Sequence, residues 1–367
     1  MNNPLPQNSV IGILGGGQLG RMMAIEAAEM GYQAHIYCPE ADCPASEVAK
    51  YTTVGDYNDL QKLAEFAEQV SVVTYEFENI PLTPVTEIAK ICPVFPSPEI
   101  LAISQNRILE KTKINGIGIK TANFVPVYSE DDLLKAAEKL GLPSVLKTAT
   151  MGYDGKGQVI LRGLEDWRTR GLDKEENNSS SLVLQSSSPL ILEAFVPFQM
   201  EISVIVARDA SGNTKCYCPV ENIHKNHILA ETIAPARIPA ELAEKAETIA
   251  RKIAEGLGLI GLLAIEMFVV EGGEILVNEI APRPHNSGHW TLDACITTQF
   301  EQVIRAVCGL PLGNPARLCN AKMLNLIGDD ILAAQEYLKN PNAKLHIYGK
   351  KEAKSGRKMG HITFLEM

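Results

Sequence analysis

Residues 262–281 read LLAIEMFVVEGGEILVNEIA, two apolar, strand-like runs joined by EGGE. A Gly-Gly pair favours a two-residue hairpin turn, and a turn at Gly272 and Gly273 sets Glu266 directly opposite Glu279. Like charges facing each other on a ladder repel, and buried, unpaired carboxylates cost more still. A divalent cation taking hard oxygen ligands removes the conflict, and Asn278 beside Glu279 adds a further oxygen. The competing reading puts Glu266 on the solvent face of an edge strand. The added oxygen favours a cation that carries phosphates: magnesium, or manganese in its place.

The loop that follows, Ala281 to Trp290, reads APRPHNSGHW. Arg283, His285 and Asn286 are donors suited to an oxyanion such as carbonate or phosphate. Ser287, His289 and Asp293 could be read as a hydrolytic triad, but no G-x-S-x-G elbow accompanies them. Upstream, GYDGKGQ (152–158) stands between strand-like runs at Val145–Lys147 and Gln158–Leu161. Gly152, Gly155 and Gly157 can expose backbone N–H groups to phosphates, with Tyr153, Asp154, Lys156, Gln158 and the nearby Lys147 as side chains. This is not a Walker loop, which leads into a helix. An ordinary hairpin turn is the plain alternative.

Further out, ILGGGQLGRMM (13–23) places Gly15, Gly17 and Gly20 at G-x-G-x-x-G spacing. A strand at Val10–Leu14, a helix at Leu19–Met30 and a strand at Gln33–Tyr37 predict a parallel βαβ start. Ligands of such sheets bind beyond the carboxyl ends of strands, so the glycine loop and Glu76, after SVVTY, share a crevice. A nicotinamide-dependent oxidoreductase wants an acid at the end of the second strand. Tyr37 and Cys38 stand there instead, which disfavours that reading. The proline-rich CPVFPSPEI closes this domain near residue 100.

Helices are also predicted over SQNRILEKTKINGIGI (104–119), DDLLKAAEKLGLP (131–143) and ELAEKAETIARKIAEGLGL (241–259), with strands at LILEAF and MEISVIVA. A length of 367 residues with 46% hydrophobic residues suits two or three domains. A net charge of -10 argues against a nucleic-acid surface. Against that background Lys350, Lys351, Lys354, Arg357 and Lys358 form a local basic run, either a phosphate pocket or a solvated face. The eight cysteines lack metal-ligand spacing. Without a leader or an apolar stretch of membrane length, the expectation is a cytoplasmic protein with small-molecule partners and neither nucleic acid nor membrane.

In this order and at these separations, GGGQLGRM, TYEFENI, GYDGKGQ, NEIAPRPHNSGHW and GRKMGH resemble the N5-carboxyaminoimidazole ribonucleotide synthase family of the ATP-grasp superfamily. The resemblance runs from about Val10 to the C-terminus. It implies an α/β and α+β chain: a Rossmann-like domain over 1–100, an ATP-grasp domain over 101–295 whose smaller lobe spans about 120–195, and a C-terminal domain over 296–367. It implies an ATP-dependent ligase of purine biosynthesis, a homodimer that carboxylates 5-aminoimidazole ribonucleotide with bicarbonate through carboxyphosphate.

Carried over by position, the resemblance gives Arg107 and Lys147 to the ATP phosphates, with the 152–158 loop as their cover. Glu193, Ala194, Phe195 and Val196 take the adenine, Glu201 the ribose, and His224 and Asn278 complete the nucleotide site. Glu266 and Glu279 match the magnesium ligands. Gln18, Leu19 and Glu76 line the ribonucleotide pocket, Tyr153 and Asp154 lie near its amine, and Lys350, Arg357 and Lys358 hold its 5′-phosphate. Asp154 is either the general base or an orienting group. Arg283, His285 and Asn286 hold bicarbonate or carboxyphosphate. A formate-dependent glycinamide ribonucleotide formyltransferase of the same superfamily shares the glycine loop, the acids and the basic tail, but HNSGHW favours the bicarbonate enzyme. A catalytically silent ATP-binding regulator is the third reading, and the intact acids and lysines speak against it.

Overall fold

A computed structural model describes residues 3–150, 157–163, 166 and 189–366. The βαβ start forms as the glycine motif predicts. Strand β1 (Val10–Leu14) feeds α1 (Gln18–Glu29) and returns as β2 (Gln33–Cys38), while β3 (Tyr51–Val54) and β4 (Val72–Tyr75) complete a parallel sheet. Its order is β3-β2-β1-β4, with α2 (Leu60–Ala67) before β4 and α3 (Leu82–Ile88) after it. The chain direction of this order switches between β1 and β4, so a crevice opens at their carboxyl ends. One face of α1 buries Met23 and Ala27 in a core shared with Phe300, Val303 and Ile304 of the helix Gln299–Val307.

The helix predicted over 104–119 forms as α5 (Arg107–Gly116), and a separate helix that was not predicted, α4 (Pro98–Ser104), runs into it. Asn106 makes the break. Its side chain accepts hydrogen bonds from the N–H groups of Ile108 (3.0 Å) and Leu109 (3.2 Å), capping α5 and making Arg107 the first helical residue.

A small antiparallel sheet follows: β5 (Phe124–Val127), β6 (Ser144–Thr148), β7 (Gln158–Leu161) and β8 (Leu190–Ala194), in the order β5-β8-β6-β7. It packs Leu146 and Leu192 against Leu133 and Ala137 of α6 (Glu130–Leu140). Three acids in the first turn of α6 and a Ser129 cap on the Asp132 N–H suit a helix N-terminus. Gly152, Tyr153, Asp154, Gly155 and Lys156 lie outside the described residues, as does the polar stretch KEENNSSS.

The remaining strands build one nine-stranded sheet: β9 (Phe198–Arg208), β10 (Thr214–Cys216), β11 (Val220–Lys225), β12 (Ile228–Ala234), β13 (Gly261–Val270), β14 (Ile275–Ala281), β15 (Asn320–Ile327), β16 (Ala343–Ile347) and β17 (Lys358–Glu366). Its order is β14-β13-β9-β11-β12-β15-β17-β16, with β10 on β9. The C-terminal strands therefore extend the central sheet, through β15 on β12, rather than forming one of their own. The helix Ala240–Gly256 buries Ala250 and Ile253 against Val204 and Leu263 on this sheet.

Glu266 does pair with Glu279, but not through the turn predicted for it. The connection is the short helical turn Glu271–Gly273, closed by a Val270 N–H bond to the Glu274 carbonyl. That geometry pairs Met267 with Val277 and would set Glu266 against Asn278. A β-bulge on β14 inserts one residue at this point and restores Glu279 as the partner. Both Asn278 and Glu279 consequently line the same cavity.

Candidate active site

All three sheets contribute to one cavity of about 1030 Å³. Gln18 and Leu19 come from the start of α1 and Glu76 from the end of β4 in the first sheet, Lys147 and Gln158 from the second sheet, and Glu201, His224, Glu266, Asn278 and Glu279 from the third. Neither acid of the pair is sealed in the core, as the apolar strands suggested. The Glu266 side chain is 20% exposed and that of Glu279 40%, both opening on the cavity.

The two carboxylates differ in their surroundings. Burial works against ionisation of Glu279, but Arg107, with Nη1 at 2.8 Å, outweighs it and holds the carboxyl below its usual value. Glu266 has no such cation. Its depth in the protein, and then the facing Glu279, push it up to about 8.

Helix α5 presents Arg107, Glu110 and Lys111 on one face, as positions three and four residues apart must be. Glu110 Oε2 accepts from the Ile280 N–H (3.2 Å), and Lys111 Nζ donates to the Asn278 carbonyl (2.9 Å). Sequence reading missed Glu110 and Lys111; three charged residues on one face of RILEK were the available signal. Lys111 also lies 3.4 Å from Glu193 Oε1, while Lys147 reaches Glu193 Oε2 at 2.8 Å. Burial raises the Glu193 pKa, but these two lysines prevail and bring it down to about 2. Ala194, which ends β8, and Phe195 and Val196 on the connection to β9 do not line the cavity, whereas Phe198, Gln199 and Met200 do. His224 Nδ1 lies 2.5 Å from Glu201 Oε2.

The glycine loop is already filled. The Glu76 carboxylate accepts hydrogen bonds from Gly17 N–H and from Gly20 N–H, the latter at 2.8 Å. These are the groups that a pyrophosphate would use at a helix N-terminus. At Gly15, φ is +113° and a Cβ would come within 2.2 Å of Glu76 Cγ, so this loop is glycine for the sake of a carboxylate. The nicotinamide reading has no place in this geometry.

Two residues beyond Glu76, Glu78 takes two contacts from Arg283, Nη2 to Oε1 at 2.9 Å and Nε to Oε2. Glu78 is another residue the sequence reading missed. His285 Nε2 lies 3.2 Å from Glu266 Oε1, and the Ser287 N–H donates to His285 Nδ1 at 3.3 Å. Nδ1 also lies 2.9 Å from Ser287 Oγ, and burial, followed by Arg283, pushes the imidazole down to about 3, which leaves it neutral. Asn286 is buried, and neither polar atom of its side chain has a partner among the described residues.

Of the basic tail, only Lys358 lines the cavity. Lys350 Nζ donates to the Lys358 carbonyl at 2.7 Å, and the exposed Arg357 to the carbonyl of Glu352 at 3.2 Å. The hydrolytic triad is not assembled either: Asp293 pairs with His346 (2.9 Å), while His289 contacts Gln299. Asp293, His346 and His361 lie close enough to suggest a metal, yet the two imidazoles stack at 4.5 Å and 12°. In-plane lone pairs on nearly parallel rings do not converge on one ion.

Comparison with known proteins matches residues 9–105 to a ribonucleotide synthetase preATP-grasp domain, 112–300 to an ATP-grasp domain, and 321–367 to a phosphoribosylaminoimidazole carboxylase C-terminal domain. An N5-carboxyaminoimidazole ribonucleotide synthase of Brucella melitensis is 48% identical over 359 residues, covering 98% of this chain and 97% of that protein. The chain belongs to the N5-carboxyaminoimidazole ribonucleotide synthase family.

A synthase of the family from Bacillus subtilis is 45% identical, over 98% of this chain and 92% of that one. The bifunctional purine synthesis protein purC/E of Dictyostelium discoideum is 49% identical over 98% of this chain, which spans 37% of that longer protein. Among solved structures, an ADP complex of an N5-carboxyaminoimidazole ribonucleotide synthetase superposes with a TM-score of 0.93 at 44% identity, covering 100% of this chain and 94% of that one. An Aspergillus clavatus synthase in complex with ADP and 5-aminoimidazole ribonucleotide gives 0.89 at 30% identity, with 98% and 94% covered.

A synthase of this family is an ATP-dependent ligase, and the donor set suits a hard cation. The paired acids face one cavity, and the buried Asn278 Oδ1 beside them has no partner among the described residues.

Proposed function

We infer that this chain converts 5-aminoimidazole ribonucleotide, bicarbonate and ATP into N5-carboxyaminoimidazole ribonucleotide, ADP and phosphate, a step of purine biosynthesis. One observation carries the reading: a single cavity joins a paired-acid nucleotide half, the donor loop Arg283–Asn286 and the Glu76 crevice. The related complexes with ADP, and with ADP plus 5-aminoimidazole ribonucleotide, support both occupants.

Bicarbonate attacks the γ-phosphate to form carboxyphosphate, which water destroys readily, so fixed donors in a closed site must hold it. Arg283 supplies charge, Asn286 an unpartnered amide and His285 a neutral imidazole. Arg107, Lys147, Gly157, Gln158, Glu193, Glu201 and His224 bind ATP. Glu266, Glu279 and Asn278 hold magnesium, which neutralises phosphate charge when bound.

Gln18, Leu19 and Glu76 hold the ribonucleotide, with Lys358, supported by Lys350 and Arg357, at its 5′-phosphate. Tyr153 and Asp154 orient the amine. The three-domain division, the homodimer and a cytoplasmic location belong to the same reading by family resemblance. Coupled measurement of ADP release tests it: release is expected only when ribonucleotide and bicarbonate are both present. Release that ignores the ribonucleotide would overturn it.

A further inference from the structure

Gln299, the first residue of the helix Gln299–Val307, has no exposed surface and lies outside the cavity lining. Its carboxamide grips both backbone groups of one residue on the donor loop. Oε1 accepts from the His285 N–H at 2.9 Å, and Nε2 donates to the His285 carbonyl at 2.8 Å. Since one backbone group only donates and the other only accepts, the chain itself dictates which way the carboxamide points. The second hydrogen on Nε2 reaches His289 Nδ1 at 3.0 Å, holding the far end of the same loop.

The grip is anchored and close-fitting. The Gln299 N–H donates to Thr291 Oγ1 (3.0 Å), and that hydroxyl donates to the Gly288 carbonyl (2.6 Å). A Cβ on Gly288 would lie 2.6 Å from Gln299 Oε1 and 2.1 Å from Ile205 Cδ1, so the loop wraps around the carboxamide where only a hydrogen fits. Two cavity-lining groups depend on it: His285, whose Nε2 stands 3.2 Å from Glu266, and the adjacent Asn286 with its unpartnered amide.

We propose that Gln299 is a positioning residue for the carboxylation. By clamping the backbone of His285 it holds His285 and Asn286 in register with the bicarbonate-derived group, and it touches no substrate itself. The inference rests on the assignment of Arg283, His285 and Asn286 to that group. Loss of the clamp lets the loop drift. Displacement on the ångström scale is enough to weaken bicarbonate capture and admit water to carboxyphosphate.

The test compares Q299M, which keeps the volume and removes all three side-chain hydrogen bonds, with the wild-type full chain. The bicarbonate KM is expected to rise about ten- to a hundredfold, and more than one ADP should be released per ribonucleotide carboxylated. The dissociation constant for ADP and the far-UV circular dichroism should stay at wild-type values. If Q299M does not fold, Q299E serves, because it keeps the acceptor for the His285 N–H while setting an oxygen against the His285 carbonyl; the same two changes are expected. A wild-type bicarbonate KM with one ADP per product overturns the proposal. So does a parallel decline of ADP affinity and every kinetic constant, the mark of a structural role alone. Wild-type ADP release that ignores bicarbonate would instead remove the underlying site assignment, whatever Q299M does.

Discussion

Glu266 and Glu279 stand directly opposite each other on the β13–β14 ladder, yet each has its own counterpart: Arg107 at 2.8 Å from Glu279, His285 at 3.2 Å from Glu266. The counterparts come from different segments that line the cavity, α5 and the donor loop. The pair therefore bridges the part of the cavity proposed for ATP and the loop proposed for bicarbonate.

Replacing Glu279 by Gln removes one of two anionic oxygen sets and leaves Arg107 without its carboxylate. The expected fall in kcat is at least about a hundredfold, the scale of losing one group aimed at transferring charge, with circular dichroism unchanged. Steady-state ADP release measures it, and a fully active E279Q would sink the metal assignment.

Glu76 links the glycine loop to the crevice proposed for the ribonucleotide. E76A strips Gly17 and Gly20 of their acceptor, and the fold should lose about 1–3 kcal/mol for buried donors left unmet. The ribonucleotide KM should rise while the KM for ATP holds. Denaturant melts and substrate titrations read the two effects separately, and an unmoved ribonucleotide KM would refute the role in that pocket.

Lys111 is fully buried and spans the Asn278 carbonyl and Glu193. K111M leaves Glu193 with Lys147 as its remaining close cation, and stability should drop by roughly 3 kcal/mol, as when one partner of a buried ion pair is deleted. In K111M the Glu193–Lys147 pair at 2.8 Å stays intact, so the double variant K111M/E193Q, which takes the carboxylate from buried Lys147, should be less stable again. Urea midpoints decide: a double variant as stable as the wild type contradicts a charge-based cost.

Glu26 gives a pH prediction remote from the site. Burial raises its pKa above the ordinary 4.5, against a hydrogen bond from Thr298 Oγ1 and with help from Glu29 and Glu301. Over the window just above 4.5 the folded chain keeps a proton that the unfolded chain has released, so stability falls as pH rises through it. E26Q removes this slope. Its Tm should exceed wild type by more at pH 8 than at pH 5, and identical pH profiles would refute the argument.

Much of the site was legible because its chemistry is written in short motifs. GGGQLGRM announced a strand, a turn and a helix, and NEIAPRPHNSGHW set an acid next to a donor loop. The Glu266–Glu279 pairing was found although its turn was misread, since the three-residue connection and the bulge at Asn278 displace the register in opposite senses. What stayed hidden was mostly charge pairing across long separations. Arg107 and Glu279 are 172 positions apart, and Glu78 and Arg283 are 205.

By itself the sequence determined the parallel βαβ start, the hairpin carrying two acids and the donor loop after it, because periodicity and turn chemistry act over a few residues. Tertiary structure alone decided what fills each polar group. It put the Glu76 carboxylate on the N–H groups that a dinucleotide would have taken, brought Lys111 and Lys147 to Glu193, and set Gln299 against His285. A buried donor or acceptor must find a partner, and which one it finds depends on how distant segments pack.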